Sequence, residues 1–224
     1  MAVISLGGSI VCGDNIDFNY IFSFRKFLEE QSKNDKIFLV VGGGKIARDY
    51  ISMASKLGMN EFLQDRIGIM ASRINASLFL GNYSYPKVAD NVEEAVIASG
   101  SYPVVLMGGT EPGHTTDAVS LLIAERIGER RVINMTSVGG VYDKDPRKYK
   151  DAKIIRRMSY RKAQEMFLSR DMDAGLNLPF DLVSIKIAER SKIEICIMGK
   201  SIEDLKKAML NGECKGTIIG ITND

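Results

Sequence analysis

The feature that most restricts this chain is the alternation of short apolar runs with stretches of helical spacing. The runs lie at 2–6 (AVISL), 37–41 (IFLVV), 103–107 (PVVLM), 131–135 (RVINM), 193–198 (IEICIM) and 217–222 (TIIGIT). Each is five or six residues long, bounded by glycine or polar residues, and apolar almost throughout rather than at every second position. Strands covered on both faces, as in a parallel sheet, read this way. Between the runs, Leu63, Ile67, Met70, Ile74 and Leu78 recur at spacings of four, three, four and four, one stripe of a helix. The run Leu78-Phe79-Leu80 makes that helix apolar beyond one side, which suggests a partner surface. Further helices are expected over 116–127, from about 179 to 190, and from Ser201, where SIED has the spacing of a capping box with Asp204 as its acid. Strands alternating with helices predict an α/β fold with helices on both faces of the sheet.

A chain of 224 residues can bury a sizeable core without metal or disulfide staples, as one large domain or two small ones. The polar stretch 138–158 reads as a solvated loop, or as part of a seam near residue 130. The expected organisation is one domain over 1–224, with an N-terminal lobe of about 1–130 and a C-terminal lobe of about 131–224. Lys plus Arg number 30 and Asp plus Glu 28, a net charge of +2 that leaves no footprint for nucleic acid or an acidic membrane. Cys12, Cys196 and Cys214 are far apart and form no CxxC pair, so they are expected to be reduced thiols of a cytoplasmic protein. With one histidine, a transition-metal site is not expected, whereas a hard cation held by phosphates fits. The first residues lack the pattern of a signal peptide, and no run approaches the ~18 apolar residues of a membrane span.

Chemistry-bearing residues cluster where strands end. Gly7-Gly8-Ser9 follows AVISL, and Gly42-Gly43-Gly44 follows IFLVV and leads straight into the helical KIARDYISMASKL. Glycine lets backbone N–H groups approach an anion closely, and a helix start adds free N–H groups and a positive dipole end. Two such loops in one sheet, where α/β ligands bind, point to phosphate. GGGKIA also fits a relaxed dinucleotide fingerprint, with Glu61 near its acidic position, although that motif normally opens the fold. No GxxxxGK[ST] loop is present.

A third constellation, MGGTEPGHTTDAVS, spans 107–120 and carries three Thr, three Gly and the only His before a helix start near Thr115 or Thr116. Hydroxyls and free N–H groups there suit a second anion or a polar base. His114 reads as solvent-facing or base-contacting rather than catalytic, since phosphoryl transfer needs positioning and charge neutralisation more than a base. A fourth, NMTSVGGVYDKDP at 134–146, offers Tyr142 and Asp145, an aromatic and an acid suited to adenine and ribose or to a plain polar loop.

In order and spacing, ISLGGS, VVGGGKIARDY, MGGTEPGHTTDAVS and VGGVYDKDP resemble the amino acid kinase family from end to end, and within it the archaeal-type uridylate kinases. The glycine loops alone indicate only the superfamily; GGT-x-PGHTTDA is the element particular to the uridylate kinases. The resemblance implies an αβα sandwich around a mostly parallel sheet. It implies transfer of the ATP γ-phosphoryl group to UMP with Mg²⁺, and a homohexamer built from dimers. By motif position it assigns Gly8, Ser9, Gly44 and Arg48 to ATP phosphates, and Thr136, Ser137, Tyr142 and Asp145 to the ATP nucleoside. It assigns Gly43, Asp65, Thr110, Glu111, Pro112, Gly113, His114, Thr115 and Thr116 to UMP. Lys186 falls where other members place a lysine that neutralises the transferred group, with Arg48 and Lys45 as further cations. No metal ligand on the protein is implied, the Mg²⁺ being held mainly by phosphates and water.

Three places depart from the family. Ser5 stands where many members carry Lys, Ser137 where much of the family has Asp or Asn, and Gly139-Gly140 fills a turn where related kinases often have Asp. Three other readings remain: a nicotinamide-dependent oxidoreductase built on GxGxxA, a non-catalytic nucleotide-binding protein of the same fold, and a family member acting on another phosphate.

Overall fold

The computed structural model describes residues 1–146, 148–168 and 180–222. Among them, seven strands are joined in one sheet: β1 (Ala2–Leu6), β2 (Ile37–Val41), β3 (Val104–Met107), β4 (Arg131–Met135), β5 (Arg157–Ser159), β6 (Glu194–Met198) and β7 (Thr217–Gly220). Their order across the sheet is β3-β2-β1-β4-β6-β7-β5. Every pairing is parallel except β6 with β7. All six expected strands are present. The seventh, β5, lies at the end of the stretch that reads as polar loop; it has only three residues, with Met158 as its one buried side chain.

Nine helices flank the sheet among the described residues: α1 (Gly8–Val11), α2 (Phe18–Gln31), α3 (Gly44–Lys56), α4 (Glu61–Ser77), α5 (Val92–Ala98), α6 (Thr116–Ile127), α7 (Tyr160–Leu168), α8 (Leu182–Ser191) and α9 (Ile202–Asn211). The expected start of α8 at residue 179 lies outside the described residues. Alternation along the strands feeds two cores. Val3, Phe38, Val40, Val105 and Val132 pack with α5, α6, α7 and α8 on one face. Ile4, Leu6, Leu39, Leu106 and Ile133 pack with α2, α9 and the end of α4 on the other. Strands apolar on both sides are therefore covered on both sides.

Helices start on residues suited to capping. Asn60, Asn91, Thr115, Asp181 and Ser201 each accept a first-turn backbone N–H with their side chain. Asp204 donates its N–H to Ser201 Oγ, as the SIED spacing requires, and its own carboxylate pairs with Lys215 at 2.7 Å.

The apolar stripe on α4 faces outward within the chain: Leu63, Met70, Ile74 and Leu78 are exposed, and the helix buries Gln64, Ala71, Ser72, Asn75 and Ala76 instead. The reason is local, since this polar face fastens the loops described below. One expectation changes. The cysteines do not all remain thiols. Cys196 and Cys214 are joined by a disulfide with Cα atoms 5.7 Å apart, and Cys12 alone is free and buried. The antiparallel return of β7 onto β6 brings together two cysteines separated by a whole helix, which spacing in the sequence does not show.

Candidate active site

Register sets the site. Leu6 of β1 lies level with Val41 of β2 and Met135 of β4, so three loops leave the sheet side by side at the carboxyl ends of its strands. They touch backbone to backbone. Gly7 donates to the Met135 carbonyl at 2.9 Å and Gly42 to the Leu6 carbonyl at 2.9 Å. A Cβ on Gly8 would overlap the Gly44 nitrogen and the Gly42 carbonyl, so only glycine permits this approach. Gly44 starts α3 with φ +63°, and no side chain caps that helix. The Lys45 N–H goes to the Cys12 carbonyl at 3.0 Å, and first-turn N–H groups not so engaged form an anion-binding helix start.

A cavity of about 620 Å³ opens over these loops, lined by Gly7–Ser9, Gly42–Gly44, Arg48, Thr116, Asp117, Asn134 and 136–138. A second, of about 320 Å³, is lined by Gly43, Ile51, Asp65, Gly68, Ile69, Ser72, Gly109 and 113–116. Gly43 and Thr116 belong to both, so the two cavities meet over the second glycine loop. Another cavity, at the opposite ends of β1, β4 and β6, is lined by Arg130, Arg131 and Glu194 among others and lies away from the glycine loops.

Helix α4 holds the walls. Asn75 donates its amide to the carbonyls of Gly42 (2.9 Å) and Gly43 (3.1 Å). Ser72 accepts from Gly109 N–H at 2.8 Å, and Asp65 accepts from Gly113 N–H at 2.7 Å. Gly113 has φ +82°, the turn that aims its N–H at this carboxylate. Across the larger cavity, Ser9 Oγ is 3.3 Å from Ser137 Oγ, and Thr136 Oγ1 accepts from Gly139 N–H at 2.9 Å.

Asp117, one residue past the Thr115–Thr116 pair, is on the floor of the larger cavity, a place that motif reading does not give it. Its Oδ1 accepts from Ser5 Oγ at 2.6 Å and from the Asn134 amide at 3.0 Å. Ser5, in the place of the family's lysine, thus supplies a neutral donor to a buried acid. The carboxyl keeps one edge in the cavity, but protein on its other sides desolvates it and pushes its pKa up to about 7, with the Asp181 charge adding to the rise. A signal does exist in the sequence: an acid in the first turn of a helix that starts at a glycine-rich loop. Such an acid also serves the helix dipole, which is why it does not stand out.

A pH dependence follows. Between the ordinary carboxylate value and about 7, the unfolded chain releases this proton and the folded chain keeps it. Stability therefore falls as pH rises through that window and levels off above it. Asp117→Asn has no such proton. Its Tm relative to wild type is expected to climb by roughly 7–15 °C between about pH 4 and pH 7.5. A difference that stays flat in a thermal-shift series would place an ordinary acid at this position.

The structure brings together most of the expected residues. Gly8, Ser9, Gly43, Gly44, Arg48, Thr136, Ser137, Asp65, Gly113, His114, Thr115 and Thr116 line one cavity or both. Arg48 has no carboxylate partner among the described residues, and its side chain borders the larger cavity. Others are not brought in. Lys45 is held by Asp49 at 2.6 Å on the outside of α3. Lys186 is exposed and lies 3.3 Å from Glu189 on its own helix. Thr110, Glu111 and Pro112 form the turn before Gly113, with Glu111 accepting from His114 N–H, and do not line the cavity. Asp145 is buried at 7% exposure, and its carbonyl closes a turn with the N–H groups of Lys148 and Tyr149. Tyr142 pairs with Ile154 in a bridge, so neither Tyr142 nor Asp145 lines the cavity where a nucleoside is expected. Glu61 opens α4 as an exposed first-turn acid, away from a ribose position of a dinucleotide fold.

Residues 1–199 match the family model described as the amino acid kinase family. The chain belongs to that family. Among similar proteins, a uridylate kinase of Thermoplasma volcanium is 46% identical over 211 residues, 92% of each chain. One from Archaeoglobus fulgidus is 41% identical, covering 97% of this chain and 98% of the relative. The crystal structure of an Archaeoglobus fulgidus uridylate kinase superimposes with a TM-score of 0.85, at 39% identity, over 98% of this chain and 100% of that one. A UMP kinase structure from Bacillus anthracis, 18% identical, shares the fold with a TM-score of 0.76 over 97% of this chain and 94% of that one.

Proposed function

We infer that this protein is a uridylate kinase, transferring the γ-phosphoryl group of ATP to UMP to give UDP and ADP. The carrying observation is the pair of cavities that meet at Gly43 and Thr116 over a helix start with no side-chain cap. Full-length relatives at more than 40% identity support the same activity. In-line transfer needs two phosphate sites facing each other with donors between them. An oxygen of the UMP phosphate forms the new bond to the γ-phosphorus while the bond to the β-phosphate oxygen of ADP breaks. The larger cavity takes the ATP phosphates on Gly8, Ser9 and Gly44, and the smaller one takes UMP between α4 and the 113–116 turn. Backbone N–H groups at Gly44 and the Arg48 guanidinium are aimed where negative charge moves between the nucleotides. We assign the acceptor lobe to about 1–130 and the donor lobe to about 131–224, and place the enzyme in the cytoplasm beside its nucleotides.

The donor set around the cavities suits a magnesium ion carried by the nucleotide. N–H groups, hydroxyls and a single carboxyl, that of Asp117, line the larger cavity, and no group of three or more His, Cys, Asp or Glu side chains placed for a metal occurs among the described residues. Mg²⁺ keeps several waters and enters such sites on phosphates, where it neutralises charge.

Steady-state kinetics with UMP, dUMP and CMP test the reading. Asp65 is expected to accept from the ribose hydroxyls with the oxygen not engaged by Gly113. Losing one hydroxyl then costs about 1–3 kcal/mol in kcat/KM for dUMP. CMP is rejected more strongly, because its amino group meets donors placed for a carbonyl. Asp65→Ala should erase much of the UMP preference over dUMP. No UMP turnover with Mg·ATP would sink the function, and equal use of CMP would remove the 113–116 turn from base reading.

We also propose a homohexamer built from dimers. Tyr50, Met53 and Leu57 of α3 and its end, and Met70 and Ile74 of α4, which packs on α3, are large apolar side chains left exposed. Ile74→Lys is expected to reduce the assembly's mass in light scattering. A monomeric wild type at micromolar concentration would refute the proposal.

A further inference from the structure

We propose that Asp181 is a positioning residue that ties the acceptor turn to the start of helix α8, fixing where Thr115 sits on the acceptor cavity. The inference rests on the uridylate kinase reading and deepens it. Asp181 caps α8 by accepting Ser184 N–H on Oδ1 at 2.8 Å. Capping needs only that oxygen, and a serine would cap as well. The second oxygen does something else. Oδ2 accepts from Thr115 Oγ1 at 2.5 Å and from Ser184 Oγ at 2.5 Å. Thr115, 66 residues earlier in the chain, lines the acceptor cavity and itself caps α6 by accepting Ala118 N–H at 3.2 Å. One carboxylate therefore joins the starts of two helices, and Asp181 lines neither cavity.

The same two helices are fastened at their other ends. Glu125 of α6 accepts from Arg190 Nε at 2.9 Å and Nη2 at 2.6 Å, and from the Ser191 hydroxyl. Two fastenings fix α8 on α6 against both sliding and rotation. Lys186 lies between them, with its ammonium 3.3 Å from Glu189 on the exposed side. The place of Thr115 on the acceptor cavity is thus tied to that of α8. A slip of one turn is ~5.4 Å, whereas misplacement by ~1 Å can cost ~10²-fold in rate.

Asp181→Ser keeps the cap and removes the tie. The expected result is a fall of about 10- to 100-fold in kcat/KM for UMP, through both lower kcat and higher KM. KM for ATP should stay within about twofold and Tm within a few degrees. Adding Asp181→Ser to Thr115→Val should cost no further kcat/KM for UMP, because Thr115→Val already breaks the tie together with its own cap on α6. A change in kcat/KM for UMP below about twofold, additive losses in the double variant, or lowered Tm with unchanged KM for UMP would each overturn the proposal and leave Asp181 as a helix cap. Should Asp181→Ser fail to fold, Thr115→Val must show the loss and Thr115→Ser must not; equal behaviour of the two also overturns it. Failure of the underlying reading looks different, since wild type itself would then not phosphorylate UMP.

Discussion

Arg48→Ala is expected to lower kcat by about 10²–10³-fold, with a much smaller rise in KM for either nucleotide. That is the scale of removing one preorganised donor from a developing charge. Arg48 is one turn into α3, borders the larger cavity, and has no carboxylate partner among the described residues. Its fork is therefore available to phosphate oxygens, with no carboxylate among the described residues competing for it. Lys45, three residues earlier, is committed to Asp49. With Ser5 in place of a lysine and Asp117 beside it, Arg48 is the lining cation left to follow charge from one nucleotide to the other. An interaction that strengthens only in the transition state shows in kcat. A variant whose KM rises tenfold with kcat intact would make Arg48 a ground-state clamp. Arg48→Lys should recover only part of the loss, since a point charge cannot bridge two oxygens.

Gly8→Ala is expected to reduce kcat/KM by more than ~10³-fold and to lower Tm by roughly 3–10 °C. The added methyl would overlap main-chain atoms of Gly42 and Gly44, and no side chain can swing away to relieve it. The two glycine loops must then separate, which breaks the phosphate junction as well as the packing. Gly58→Ala is the matched control. Gly58 has φ +77°, and nothing lies within 4 Å of the place its added methyl would take, so that change carries backbone strain alone. It should cost some stability and leave kinetics intact. Near-normal turnover by Gly8→Ala would mean the loops do not act as one unit.

Much of this arrangement can be read from the residues because it depends on local chemistry. Continuous apolar runs mark the strands, and Gly42-Gly43-Gly44 before KIARDY marks the uncapped helix start. What stays hidden depends on distant parts of the chain meeting. On α4, Ser72 and Asn75 are recognisable as the buried side only once Gly109 and Gly42 lie against them. Asp145 resembles a ribose ligand in a polar loop, yet its position in the fold is buried. Asp117 needs Ser5 and Asn134, from two different strands, before it differs from an ordinary first-turn acid. The disulfide needs the single antiparallel pairing of the sheet.

The order of the strands has a consequence for how such an enzyme can change its substrate. The phosphate junction hangs on β1, β2 and β4, which are interior strands whose ends are locked level with one another. The turn that would read the acceptor's base follows β3, the outermost strand, whose outer side meets the segment 84–89 through the Ser84–Val104 bridge and the Ala89 N–H on the Leu106 carbonyl. Edge and interior tolerate alteration very differently. Exchanges within 110–113 are expected to leave the register of the three strands intact, as long as Asp117 keeps its bonds to Ser5 of β1 and Asn134 of β4. The layout separates a fixed chemical engine from a replaceable front end, so a new acceptor could be reached by rebuilding one marginal turn while the reaction itself stays untouched.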